Sequence, residues 1–387
     1  MVLPSSMLTR ANGLISSSCG RSPFRFVVAG TAFFLLLLLL LPGRTGSYLP
    51  TWQAPATNAS FKIAIPNQVH FVYILPDPAA DFTFKFSDFL SIYAANHHWH
   101  PKTIYLHTNA PADSAAVARA RNGTAGKWNR LIFTQFPNLQ LRTVAVPTHA
   151  NNGVKLQNME HRSDFVRVAA VHDLGGVYID WDVHALRDIR VLRESGFRGI
   201  AGRQLGGQLN SGTFMAVQGG RMIRLWMERM HQVYDGGWTT HSNAALTTVG
   251  ERLVREEGEV LILDREAFAP GSWEARDNDM LFAVQNGTVS NLEGVVQGDA
   301  LATFDEAFEE RWLHPERFPE WERDWSSTYL LHAFSPHRFG HKVPGFEQIT
   351  PRYVLARQSN FARAVYPIAK MMYDQGLMEI DDSYLGT

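Results

Sequence analysis

Cysteine is nearly absent: Cys19 is the single one in 387 residues. With one thiol no intramolecular disulfide can form, and the count is silent about redox compartment. A surplus of either charge is missing too. Lys and Arg total 36 against 37 Asp and Glu, a formal net charge of −1, so nothing marks out a nucleic-acid partner. There is no internal repeat, and low complexity is confined to one Leu run. What remains is 45% apolar and 19% charged, the balance of a globular chain with room for one large or two ordinary domains.

The Leu run belongs to residues 26–41, an uncharged stretch of roughly 16 residues closed by Pro42. Arg10, Arg21 and Arg25 precede it and favour a cytoplasmic N-terminus, although Arg44 follows and weakens the contrast. The stretch is short for a plasma membrane and suits a thinner early-secretory bilayer. The expected organisation is a cytosolic tail over 1–25, a transmembrane signal-anchor over 26–42 and a Pro- and Gly-punctuated stem over 43–64. A cleaved signal peptide ending near 43–47 is the alternative. Either places residues 65–387 in the lumen of the Golgi or endoplasmic reticulum. Sequons at Asn58, Asn122 and Asn286 fit that address.

Residues 163–188, SDFVRVAAVHDLGGVYIDWDVHALRD, organise the remainder. Phe165, Val168, Ala169 and Val171 recur at helical spacing over 164–173, and Gly175-Gly176 stops the helix. Val177-Tyr178-Ile179 is a run of β-formers that reads as a buried strand and delivers Asp180-Trp181-Asp182 at its C-terminal end. In open α/β sheets ligands sit at that end. Alternation puts Asp180 and Asp182 on one side, about 6–7 Å apart along the strand. Two such carboxylates repel unless a cation lies between them, and a divalent Mg²⁺ or Mn²⁺ chelated by a diphosphate answers that need.

The string Ser163, Asp164, Arg167, Gly175, Gly176, Val177, Tyr178, Ile179, Asp180 and Asp182 resembles the sugar-binding region of glycosyltransferase family 32. That family includes fungal outer-chain mannosyltransferases, inositolphosphoceramide mannosyltransferases and lactosylceramide α-1,4-galactosyltransferases; clostridial glucosylating toxins share the string. The resemblance implies an α/β, GT-A type Rossmann-like nucleotide-sugar transferase domain over 65–387, acting with retention of configuration. It implies Asp182 as a metal ligand and Asp180 as a ribose and metal contact. Asp164 and Arg167, one helical turn apart, are implied to hold hydroxyls of the transferred sugar, with Tyr178 packed beneath the nucleotide.

Other expectations follow the chain. Residues 69–74 read as a buried strand, and 65–70 resemble the family's opening strand, placing His70 at the donor, with Tyr73 standing where the family has Trp. Residues 83–95 form a helix, 102–107 a strand, 114–131 one helix, 141–146 a strand and 149–162 a polar loop; such alternation argues for a parallel sheet. His97, His98 and His100 lack a carboxylate at ligand spacing and read as a loop cluster. Strands over 199–202 and 213–217 flank a Gly-rich loop, 204–212, whose Gln208, Asn210 and Ser211 face the sugar or merely turn a hairpin. Helices follow over 222–233 and 244–256. The Trp-rich tract 312–325 is an acceptor platform or core. Residues 327–334 form a strand bearing His332, which the resemblance makes the third metal ligand with His337 as its substitute. An amphipathic helix spans 361–378.

The function expected is therefore a Mn²⁺- or Mg²⁺-dependent transfer of a hexose from a nucleotide-sugar donor to a glycan or glycolipid acceptor. The alternatives are a lectin-like pseudoenzyme, and a haloacid-dehalogenase-type phosphatase with Asp180 as nucleophile. The phosphatase reading is weakened by the long folded stretch before the motif and by the spacing of Gly298, Asp299 and Asp305.

Overall fold

The computed structural model describes residues 63–285, 292, 311, 313–336 and 340–387. The anchor and the stem up to residue 62, Asn58, Asn286, Asp299, Asp305, Trp312 and His337 fall outside them. Among the described residues no helix is long and apolar enough to cross a membrane.

In chain order the strands are β1 (Gln68–Val72), β2 (Thr103–Thr108), β3 (Leu139–Thr143), β4 (Gly176–Ile179), β5 (Val183–Ala185), β6 (Gly199–Arg203), β7 (Leu209–Ala216), β8 (Val260–Leu263) and β9 (Leu330–His332). Seven form one sheet in the order β3-β2-β1-β4-β7-β6-β8, and β5 pairs with β9 in a separate ribbon. The sheet is mostly parallel; β7 alone runs against both its neighbours, β4 and β6. The main helices are α1 (Phe86–Trp99), α2 (Ala115–Asn122), α3 (Lys127–Thr134), α4 (Met159–Leu174), α5 (Arg221–Val233), α6 (Ala245–Leu253) and α7 (Asn360–Asp374).

Period-two alternation divides the strands between two cores. Val69, Phe71, Ile104, Leu106, Val177, Ile179 and Met215 pack with α1, α3 and α7, where Phe86, Phe89, Trp128, Val365 and Ile368 are buried. Tyr178, Phe214 and Ala216 point the other way, toward Phe165, Val168 and Val171 of α4 and Met222, Trp226 and Met230 of α5. Tyr178 thus lies on the α4 face, and two residues later so does Asp180, within reach of Arg167 on that helix.

Gly175 and Gly176 have φ of 68° and 111°, a backbone that side chains disfavour. Space forbids one as well: a Cβ would stand 2.6 Å from the amide nitrogen of Gln218 at Gly175 and 2.6 Å from the carbonyl of Gln68 at Gly176. The pair ends α4 and starts β4 without an intervening loop.

Several boundaries differ from the sequence expectation. The helix expected over 114–131 is two helices, broken where Gly123 and Gly126 take φ of 86° and 110°. The loop expected through Arg162 gives way at Met159, behind an N-cap at Asn158. The Gly-rich loop shrinks to a turn over 204–208, because β7 starts at Leu209 and absorbs Asn210, Ser211 and Gly212. The strand expected over 327–334 keeps three residues, Leu330–His332, matching the short β5 opposite.

Candidate active site

A cleft of about 990 Å³ opens at the C-terminal end of β4. Its lining includes Asp164, Arg167, Tyr178, Asp180, Asp182, Asn210, Ser211, Gly212 and His332. Sequence reasoning had named all of these except Gly212.

Asp180, Asp182 and His332 each offer a ligand atom, all within 4.8 Å of one another. The backbone explains the meeting: the Asp180 N–H donates to the Gly212 carbonyl (2.8 Å), and Val183 of β5 pairs with His332 of β9. Gly212 must be bare here. A Cβ on it would lie 2.6 Å from Asp180 Oδ2 and 2.7 Å from His332 Cε1. Two carboxylates and one imidazole around that space suit a divalent ion that prefers hard oxygen ligands and accepts a nitrogen.

The three groups are unlike electrostatically. Burial raises Asp180 above the ordinary carboxylate range, and the charge of Asp182 adds to this against the pull of Arg167. Asp182 is only partly buried; loss of solvent works upward on it too, but the charge and hydrogen bond of His332 outweigh it and hold the group low, His332 Nε2 standing 3.3 Å from Asp182 Oδ1. Asn210 orients the imidazole. Its amide nitrogen donates to Gln204 Oε1 (2.8 Å), so its Oδ1 accepts from the Gly212 N–H (2.7 Å) and faces His332 Nδ1 at 3.2 Å.

Arg167 binds the triad to the rest of the cleft. One guanidinium nitrogen donates to Asp180 Oδ1 (3.0 Å); the other meets Ser211 Oγ (2.8 Å) and Asp164 Oδ1 (2.7 Å). Burial works to lower its pKa, and the flanking Asp164 and Asp180 more than reverse this. The second oxygen of Asp164 meets His241 Nε2 at 2.7 Å, and Ser211 donates to Asn243 Oδ1 at 2.7 Å. Arg167 Nε is buried without a hydrogen-bond partner among the described residues. Tyr178 donates to Asp180 and lies under the guanidinium, 5.1 Å from Cζ to ring centroid. Trp181 points to the opposite core, where its Nε1–H donates to the Val72 carbonyl.

Two expected donor contacts are not in the cleft. His70 is fully buried in the middle of the sheet: its Nε2–H donates to the Gly175 carbonyl (2.7 Å), and its Nδ1 then accepts from His107 Nε2 (3.0 Å). It braces the Gly-Gly corner. Gln208 sits in the β6–β7 turn, outside the cleft lining, and its place is taken by Gln204. Of the two readings of the Trp-rich tract, core holds for Trp325, which is buried outside the cleft; Trp238, Trp273 and Phe334 line the cleft instead. His97, His98 and His100 form no metal cluster among the described residues.

Sequence reasoning missed His241, Ser242 and Asn243. They lie in one π-helical turn, Thr240–Ala244, ahead of α6, and the wider turn brings His241 and Asn243 to Asp164 and Ser211. A polar run before an apolar helix was the available signal.

A protein-family model described as the glycosyltransferase sugar-binding region containing a DXD motif matches residues 97–198. No curated protein matches the chain. Similar solved structures include the PaToxG glycosyltransferase (13% identity, 50% of this chain and 70% of that one, TM-score 0.34). The apo glycosyltransferase GlyE of Streptococcus pneumoniae TIGR4 shares 11% identity over 81% of this chain and 62% of its own, with a TM-score of 0.36. The galactosyltransferase LgtC, solved with donor and acceptor sugar analogues, shares 11% identity over 80% of this chain and 100% of its own, at a TM-score of 0.37. The family match covers Asp164, Arg167, Asp180 and Asp182, so the chain is a glycosyltransferase carrying the DXD-containing sugar-binding region.

Proposed function

We propose that this glycosyltransferase has a GT-A type domain and moves a hexose, with retention, from a UDP- or GDP-activated donor to a glycan or glycolipid acceptor, using Mn²⁺ or Mg²⁺. One observation carries the reading: the Asp180, Asp182 and His332 triad is tied through Arg167 to Asp164 inside one cleft. These three residues would hold the ion, which when bound offsets the charge of the departing diphosphate. Arg167 and Asp164, which line the cleft beside the triad, would take hydroxyls of the transferred sugar. An imidazole among the ligands favours Mn²⁺ over Mg²⁺. An Asp180 carboxylate engaged by both Tyr178 and Arg167 speaks against a phosphatase nucleophile.

The test is Mn²⁺-dependent hydrolysis of common UDP- and GDP-sugars by wild type and Asp182→Asn, with melting temperature recorded for both. Hydrolysis of one donor by wild type and its loss by orders of magnitude in a well-folded Asp182→Asn is the expected result. Wild-type turnover in that variant would overturn the metal assignment, and no metal-dependent hydrolysis of any donor would favour a pseudoenzyme.

The membrane anchor over 26–42 and a lumenal catalytic domain belong to the same proposal. Asn122 supports it, being exposed at the end of α2. Protein made in eukaryotic cells should shift in mobility on glycosidase treatment; no shift would sink the topology.

A further inference from the structure

His184 has no role in the metal triad or in the Arg167 network, yet it lines the cleft two residues beyond Asp182. It is 1% exposed, and neither ring nitrogen has a hydrogen-bond partner among the described residues. The edge of Phe361, 5.1 Å away, packs against it and supplies none. A buried imidazole left this way is costly unless something arriving in the cleft completes it.

The wall beside it is apolar. Phe334 lies flat on the His332 ring, centroids 3.9 Å apart at 11°, and meets Trp273 edge-on at 5.7 Å. Holding it there requires a left-handed backbone, φ 57°, rare for a bulky side chain and characteristic of functional sites. Phe346 and Ile349 extend the same wall. A hydrogen-bonding imidazole beside aromatic faces is the arrangement that grips a pyranose, with a hydroxyl on the polar group and C–H bonds against the rings. A transferase must hold two substrates. The Arg167 flank, on Asp180, serves the transferred sugar; the His184 and Phe334 flank, on Asp182 and His332, is left over.

We infer that His184, Trp273 and Phe334 form the acceptor subsite, in which His184 hydrogen-bonds a hydroxyl of a pyranoside whose C–H bonds pack into the corner that the two aromatic rings make. This rests on the transferase reading above, and the experiment separates the two.

The full chain is assayed with its donor for transfer to methyl and octyl hexosides and for donor hydrolysis without acceptor. In His184→Phe the ratio of transfer to hydrolysis should fall by about tenfold, the worth of one hydrogen bond, through a raised acceptor KM. His184→Gln should restore part of the ratio, and Trp273→Ala should lower it independently should His184→Phe not fold. Parallel loss of both reactions, or an unchanged ratio, would overturn the subsite. Should wild type hydrolyse no donor, the transferase reading fails instead, and saturation-transfer NMR with octyl hexosides decides the subsite. A sugar signal in wild type that disappears in His184→Phe supports it; equal signals, or none in wild type, remove it.

Discussion

The side-chain oxygen of Asn210 faces Nδ1 of His332 at 3.2 Å. Because that oxygen also accepts from the Gly212 N–H, it can only accept from the imidazole, so Nδ1 carries a proton. Nε2 then faces Asp182, and on giving up its proton it is the ring atom that an ion could take. Removing the orienting group should weaken divalent-ion binding about 10- to 100-fold. Titration of Asn210→Ala with Mn²⁺ in a calorimeter would show it; wild-type affinity would mean that Asn210 acts on the sugar and not on His332.

Gly212→Ala tests the space between the ligands. The added methyl has to displace Asp180 Oδ2 or His332 Cε1, both nearer than 3.0 Å. Overpacking of this kind costs about 1–3 kcal/mol. We expect a modest drop in melting temperature together with loss of Mn²⁺ binding and of turnover; a variant that binds Mn²⁺ as wild type does would place the ion elsewhere.

Arg167 and Asp182 should differ sharply in what their loss costs the fold. Arg167→Met leaves Asp164 and Asp180 facing each other in a buried site, which costs about 3–5 kcal/mol. Asp182, with 43% of its side chain exposed, should tolerate Asn to within about 1 kcal/mol. Urea unfolding of the two metal-free variants gives the comparison, and an Arg167→Met as stable as Asp182→Asn would contradict the buried network.

Acid should destabilise the fold through the His70 and His107 pair. Burial pushes His70 down from 6.5 to about 4 and His107 to about 3, so the native state keeps both neutral where the unfolded chain would protonate them. Their contribution is complete above pH 6.5 and is lost as the pH falls from there toward those values, at up to ~1.4 kcal/mol per group per pH unit. Asp88 opposes them, since burial raises it from 3.8 to about 7, but His98 and His184, each pushed down to about 4 by burial, act in the same direction as the pair. Melting temperature should fall between pH 6.5 and 4.5, less steeply in His107→Gln; an unchanged slope would show that the pair does not control it.

The string from Ser163 to Asp182 was readable because it is contiguous: one helix, one Gly-Gly corner and one strand convert spacing directly into position. His332 was reachable only through the family resemblance. What the sequence hid depends on register and on turn geometry. Gly212 matters because β7 runs antiparallel beside β4, with Thr213 opposite Ile179, and the parallel sheet expected from alternating elements contains no such strand. His241 and Asn243 matter because one turn is π-helical. The misreading of His70 has a simple cause: alternation within β1 says that its side chain leaves the strand, and says nothing of the Gly175 carbonyl waiting to accept from it.

The β5–β9 ribbon pairs Val183 with His332 and Ala185 with Leu330, joining two stretches far apart in the chain, the second made well after the first. A nascent chain therefore exposes the Asp pair well before the imidazole that completes it exists. A shortened transcript or gene fragment ending ahead of β9 would still display the Asp-Trp-Asp signature in full while lacking His332, the third member of the candidate site. For counting active copies among duplicated or truncated genes, the presence of β9 is the more informative mark.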